Sequence, residues 1–362
     1  MLPNVSISFS DGNIGSVTPM DDGFTLIAVT ANTSTTTDYK VATYDEYLDK
    51  ATADYRIETF FKSASGRCNL VYATVPKWET GETINADNFI DAIKKLLIKY
   101  KGEIRHVVLF DVPKALLVKL QVVADYATTK LYSPVIFFCS AETSEIETDF
   151  TEYNYNRILM VEPTTKNTCL VADVAGRAAA IGVQTSLTKV RDGEISSEPY
   201  YDTTQTEIDN VHAEAATEKG LVTVRQFQGK AGYYIANDNL LTSNESDFYL
   251  LPRRRTIDKA YRIAYKTLVN YIGDEIPVTT TGGISPVKAK DIENAVEQAI
   301  YNQMTLEGNL GVDDSTNNKG VSVYIDTNQN VLATSTLNVV IKVRPYGYAS
   351  WIEVQLGYSA DA

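Results

Sequence analysis

The chain has 362 residues, 44% of them hydrophobic and 22% charged, with a net charge of −13. That length accommodates two or three domains, each with its own core. No apolar run approaches the roughly 20 residues of a membrane span, and so acidic a chain argues against broad nucleic-acid binding, which needs Lys and Arg to displace counterions from phosphate.

The first element is "NVSISFS". Val5, Ile7 and Phe9 alternate with serines, and a period of two marks a strand. The amino end lacks the charged and apolar regions of a signal peptide, which points to synthesis in a cytoplasm. The stretch "DGNIGSVTPMDDG" then reads as a tether, and about ten extended residues reach up to ~35 Å. Residues 1–22 are therefore expected to form an N-terminal strand arm and its tether.

Residues 23–187 read as an α/β domain. "FTLIAVT", "CNLVYATV", "IRHVVLF", "SPVIFF" and "RILMVEP" are short apolar runs typical of buried strands. Between them, "TYDEYLDKATADYRIETFFKSA" has a helical pattern. "NADNFIDAIKKLLIKYKGE" puts Phe89, Ile90, Ile93, Leu96 and Leu97 on one side, with Gly102 as a stop, and "PKALLVKLQVVADYATTKLY" opens with Pro113 in a favoured first-turn position. Strands alternating with helices predict a mostly parallel sheet covered on both faces. "ANTSTTTDYK" (31–40) reads as a polar loop. The small residues of "AGRAAAIG" (175–182) permit close helix packing, with a nucleotide site as the weaker alternative.

Residues 188–205 have few aliphatics and read as a linker or long loop. Residues 206–362 then form an α+β unit. It begins with a helix ending at Gly220 and a hairpin about Gly229. A helix follows with Ile257, Tyr261, Ala264, Leu268 and Ile272 as its stripe. After "TTTGGISP", Ser285 caps a further helix, Pro286 takes its first turn, and Ile292, Ala295, Val296, Ala299 and Ile300 line one face. The chain closes on two alternating strands. Leu337, Val339, Ile341 and Val343 are the apolar positions of the first, and Ile352, Val354, Leu356 and Tyr358 those of the second. Strands at a chain end need a neighbour for their backbone groups.

Little in the sequence carries catalysis. Cys68, Cys139 and Cys169 lack CxxC spacing and read as buried thiols, and His106 and His212 are too isolated for a metal site. Asp111, Ser140 and Glu162 follow strands, where α/β enzymes place polar groups, so Asp111 and Glu162 define a rival hydrolytic reading. GxSxG, GxxxxGK[ST] and GxGxxG are absent and no nearby histidine supplies a base, so ordinary loop residues are expected there. "TTTGGISP" could hold an anion at a helix N-terminus but lacks the lysine of a phosphate loop. No cofactor and no metal is expected. Arg253, Arg254 and Arg255 open a helix against its dipole, so an acidic surface should face them. Twenty-three tyrosines against eleven phenylalanines suit protein interfaces.

"VADVAGRAAAIG", "EKGLVTVRQFQGKAGYYIANDNLLT", "YLLPRRRTIDKAYRIAYKTL" and "LNVVIKVRPYGYASWIEVQLGY", in this order, resemble a contractile tail sheath protein of phages and related injection particles. The resemblance covers the C-terminal half and rests on element order and the end motif; the first half is a compatible α/β domain. It implies a non-enzymatic subunit that polymerises helically around an inner tube and contracts without a cofactor. Partners would be copies of itself, the inner tail tube protein, and baseplate and tail terminator proteins. The site would be a virion tail or injection particle, assembled in a bacterial host cytoplasm. The resemblance assigns inter-subunit strand exchange to Val5, Ile7, Phe9 and the two closing strands. It assigns a tube-facing role to the helix bearing Arg253, Arg254, Arg255 and Lys259. A non-contractile strand-exchanging protein is the structural alternative.

Overall fold

The computed structural model describes residues 21–79, 84–165, 168–312 and 318–354. Five of the apolar runs become parallel strands: β1 (Thr25–Ala31), β3 (Leu70–Pro76), β4 (His106–Val112), β5 (Ile136–Ala141) and β6 (Ile158–Val161). A sixth, β2 (Thr37–Val41), pairs antiparallel with β3 at the sheet edge, giving the order β2-β3-β1-β4-β5-β6. The region expected as a polar loop thus contains a strand. Its threonine and tyrosine suit an edge with one wet face, and Tyr39 stacks on Tyr72 of β3 at 5.4 Å.

Alternation along each central strand explains the two-sided cover. Leu26, Val107, Leu109, Phe137, Cys139, Ile158 and Met160 face one cluster, and Ile27, Val108, Phe138, Leu159 and Val161 face the other. The first face is covered by α3 (Asp87–Lys99) and α4 (Lys114–Lys130), whose buried stripes include Phe89, Ile93, Leu117 and Leu120. Fully burying each such side chain contributes about 1.5–3 kcal/mol. Gly102 ends the α3 region at φ +76°, a left-handed conformation that glycine adopts without strain. Pro113 precedes α4 as its N-cap.

The opposite face carries α1 (Tyr44–Leu48), α2 (Tyr55–Ser63) and α5 (Leu170–Ala180). The single helical pattern of 43–64 is two helices, because Asp54 caps a fresh start by accepting from the Arg56 amide. Gly176 lets α5 approach α2: a Cβ there would lie 2.4 Å from the Phe60 carbonyl oxygen. Cys68, Cys139 and Cys169 are buried, and burial pushes the Cys68 and Cys169 thiols up to about 12.

Residues 206–241, expected in the C-terminal unit, pack on this sheet instead. Val222 bridges Val161, and the Leu241 amide donates to the Ile158 carbonyl. The segment contributes α6 (Asn210–Glu218) and the small hairpin β7 (Val224–Arg225) with β8 (Tyr234–Ile235). Residues 188–205 also carry bridges, Ser196 to Tyr233 and Tyr201 to Glu207, so they are a fastened strap rather than a domain boundary.

The remaining unit comprises α7 (Leu251–Leu268), α8 (Pro286–Ile300), β9 (Val321–Tyr324), α9 (Val331–Thr334) and β10 (Val340–Val343). Ile263, Val296, Ile300, Met304, Val321 and Val323 are buried together in its main core. Pro286 opens α8, but the Ser285 side chain makes no capping bond, contrary to expectation. No helix among the described residues is long and apolar enough to cross a membrane.

Candidate functional site

Taking its five parallel strands alone, the sheet has the order 2-1-3-4-5, whose topological switch point lies between β1 and β4. Asp111 stands there beside a register shift between Leu109 and Val112, exposed and at φ +51°. Glu162 follows β6 and is buried. With β5 between them, the two acids are roughly 10 Å apart at ~4.8 Å per strand. They share no hydrogen-bond partner among the described residues.

Glu162 does have a histidine, which sequence reasoning missed. The bridge of Val222 to Val161 swings α6 over the end of β6, and His212 Nε2 pairs with Glu162 Oε1. The Thr223 hydroxyl donates to the other carboxylate oxygen, and His212 Nδ1 lies 3.8 Å from Asp202. The bond to Glu162 raises the His212 pKa above its ordinary value; partial burial opposes this, and the charges of Glu162, Asp202 and Asp209 add to it. Thr223 is fully buried and bonded to Glu162 rather than to the histidine. The cluster is an ion-pair latch between strand end and helix, with no activated nucleophile in it. His106 is buried within 3.4 Å of the Thr25 hydroxyl, and burial, reinforced by Arg255, Arg105 and Arg262, keeps it neutral. Among the described residues no group of three or more His, Cys, Asp or Glu is placed to hold a metal ion.

The more elaborate polar construction lies at the opposite end, where α7 crosses the amino ends of the strands. Asp258 on α7 takes both Arg157, just before β6, at 2.9 Å and Arg254 at 2.9 Å. Burial alone would raise the Asp258 carboxyl, but Arg157 and Arg254 outweigh it and hold it below the usual carboxylate range. Asp22, just before β1, pairs with Arg262 and Lys259 of the same helix. Arg255 is 3% exposed and donates to the Ala178, Ile181 and Gly182 carbonyls at the end of α5. Those carbonyls are the unsatisfied, negative end of a helix, so a guanidinium there replaces a missing cap. Burial pushes Arg255 down to about 10, so it keeps its charge at neutral pH.

The basic triplet therefore meets its acidic surface largely inside the chain. Arg254 lies on Asp258 and over the Phe248 ring, Arg255 on carbonyls, and Lys259 on Asp22 and Glu307. The Arg253 side chain alone of the four makes no ion pair or hydrogen bond among the described residues, and its Nε is buried without a partner. The fold corrects the picture of a wholly partner-facing patch.

The closing strands also divide. The first, β10, pairs antiparallel with β9 of its own chain, and Val339, Ile341 and Val343 pack on the core of the last unit. Leu337 packs on its smaller neighbouring cluster. The second is not a strand where described: residues 351–354 are outside regular structure, with Ile352 80% and Val354 77% exposed. Val5, Ile7, Phe9, Leu356 and Tyr358 lie outside the described residues.

A family model described as DUF2586, N-terminal domain, matches residues 2–239, and one described as DUF2586, C-terminal domain, matches residues 247–362. The junction falls where the sheet-bound segment ends and α7 begins. Comparison with curated proteins gave no match. Among solved structures, a chain of the anti-feeding prophage baseplate is similar over 99% of both chains, at 15% identity and a TM-score of 0.64. A chain from the contracted sheath complex of an extracellular contractile injection system, PVC, is similar over 100% of this chain and 98% of that one, at 13% identity and 0.60. The sheath tail protein of Desulfitobacterium hafniense is similar over 90% of this chain and 94% of that one, at 12% identity and 0.51. The fold is that of contractile-system sheath chains.

Proposed function

The chain belongs to the DUF2586 family, and we propose that it is the structural subunit of a contractile tail sheath, polymerising helically around an inner tube and contracting to drive that tube through a target envelope. The observation that carries this reading is likeness over the whole length. Both units, in the same order, correspond to chains of contractile particles over 98–99% of the partner chains. A shared α/β domain alone would leave the last unit unmatched.

Two further features support it. The α7 clamp fastens the last unit to the sheet through buried charges, which suits a subunit that moves as a rigid body. The carboxyl end leaves Trp351 at 89% exposure beside Ile352 and Val354. Large apolar side chains so exposed mark a surface that another chain covers. We place the C-terminal exchange arm after Arg344, since β10 is already paired within the chain, and the N-terminal arm at Val5, Ile7 and Phe9. Strand addition of this kind draws affinity from main-chain hydrogen bonds and register from alternate side chains. Head-to-tail exchange whose rotation does not close generates an open filament. The inner tube, baseplate and terminator proteins are its proposed partners, and a virion tail or injection particle its location. The work of contraction comes from strain stored at assembly, so the reading asks for no catalysis.

Truncation tests the arms. A chain lacking residues 1–12 should keep its folded α/β unit by circular dichroism and lose most of the polymer that full-length chain sediments as. Normal polymerisation of the truncated chain would remove the N-terminal arm from the mechanism.

A further inference from the structure

The α7 clamp borders an open cleft of about 490 Å³ at the amino end of the sheet, where Asp22, Arg105, Lys259, Arg262, Lys266 and Glu307 are the charged lining residues beside one apolar and one amide side chain. Setting aside Arg105, which is held at the Gly102 carbonyl, the three cations of α7 face two acids. Asp22 is shared by Lys259 and Arg262, and Glu307 reaches Lys259 at 2.8 Å. Lys266 is exposed and has no carboxylate partner among the described residues. An excess of positive charge in a concave site is unexpected in a chain of net charge −13, and it fits an acidic occupant.

The chain supplies such an occupant on its far side. Residues 142–152 carry Glu142, Glu145, Glu147, Asp149 and Glu152, and no Lys or Arg occurs between Lys130 and Arg157. The only ion-pair partner of this turn among the described residues is Lys219, on Glu147, whose side chain is still 82% exposed. The turn leaves the carboxyl end of β5, and Glu145 accepts from the Lys114 amide at the start of α4. The cleft lies at the amino ends of β1 and β4. Acidic turn and basic cleft thus sit at opposite ends of one parallel sheet, where they cannot satisfy each other within a copy.

We propose that the cleft receives the acidic turn 142–152 of a second copy of this chain. The contact is heterologous, so each bound copy offers a fresh turn and a fresh cleft, and the series continues as a ring or a helical filament according to the rotation between neighbours. It rests on the assembly reading above and adds to it a direct, salt-sensitive contact between subunits that is independent of the arms.

The test mixes ordinary and heavy-nitrogen-labelled full-length chains, couples carboxylates to amines with a water-soluble carbodiimide, and sequences the linked peptides by mass spectrometry. The expected result is a mixed-isotope link between Lys266 and an acid of 142–152, lost at high salt and lost in K266E. Mixing K266E with E152K copies should add a mixed-isotope link of reversed sense, with its amine in the 142–152 segment and its carboxylate on α7. Linked polymers joined only through other surfaces would overturn the contact and leave the sheath reading standing. A chain that yields no links between copies at any concentration would overturn both. Links from Lys266 that appear only with tube protein present, and only to it, would also overturn the contact.

Discussion

Replacing Asp258 by Asn tests whether the α7 clamp holds the two units together. Asn keeps the shape of the side chain and removes its charge. Arg157, 3% exposed, then loses its carboxylate, and Arg254, 11% exposed, loses its i+4 partner. Removing one partner of a buried pair leaves an uncompensated buried charge and costs about 3–5 kcal/mol. Arg254 limits the damage only partly, since it still stacks over Phe248 at 4.4 Å. The control is E58Q, which removes an exposed i,i+4 pair with Lys62 and should cost under about 0.5 kcal/mol. Denaturant unfolding is followed by the fluorescence of Trp78, which is 5% exposed and packed edge-on to Phe89. Amide hydrogen exchange along α7 reports the clamp itself. A loss near 3 kcal/mol corresponds to roughly a hundredfold faster exchange through unfolding at about 1.4 kcal/mol per tenfold. A D258N chain indistinguishable from E58Q would refute the idea that buried charge fastens α7 to the sheet.

G176A should destabilise the chain, because its Cβ would meet the Phe60 carbonyl at 2.4 Å and the Ser63 Cβ at 2.9 Å; overpacking costs about 1–3 kcal/mol against a helix gain of under about 1, and a raised melting temperature would contradict the close α2–α5 contact. Burial raises the Asp173 carboxyl to about 6, although Ser63 and Tyr200 donate to it. The fold thus prefers the neutral acid, and about 3 kcal/mol is lost as pH rises from the unfolded value near 4 to 6; a D173N chain that keeps this limb of the stability–pH curve would refute it. His212 is raised, so its contribution is fully present below about 6.5 and lost as pH rises through its folded value; H212Q should flatten that limb, and an unchanged curve would remove the Glu162 latch. Among the arginines that open α7, R253E should weaken tube association at a smaller cost in stability than R254E, which loses a buried ion pair; the reverse order in a co-sedimentation and melting series would reassign the two.

The sheet was legible because its signal is local. Runs such as Val107–Leu109 and Phe137–Cys139 are apolar on consecutive residues, short and rich in β-branched and aromatic side chains, as strands buried on both faces are. The second strand, Thr37–Val41, was hidden because an edge with one wet face tolerates threonine and aspartate. The stripe of α3 and the close approach at Gly176 were also readable, since side-chain spacing and the lack of a Cβ act within one helix. Long-range pairing was not. Nothing in "DNVHAEA" announces that His212 meets Glu162 fifty residues earlier, and only the Val222–Val161 bridge brings them together. Arg255 and Lys259 looked like free surface charge because their partners, the end of α5 and Asp22, are distant in sequence. The placement of 206–241 failed for the same reason, since Leu221, Val222 and Val224 pack on the sheet however polar the loop before them. The closing alternation was correct for Val339, Ile341 and Val343, but pattern alone cannot say whether the neighbouring strand belongs to the same chain.

The central claim is that this chain is a sheath subunit, and electron microscopy of the concentrated full-length chain, alone and co-expressed with a contractile-tail tube protein, tests that most directly. The account expects tubes built of stacked rings, longer and narrower around the inner tube than after a destabilising trigger such as mild denaturant. Tubes of one fixed length and width under every condition would leave a strand-exchanging structural protein without contraction, and discrete single copies at all concentrations, with or without the tube protein, would contradict the claim outright.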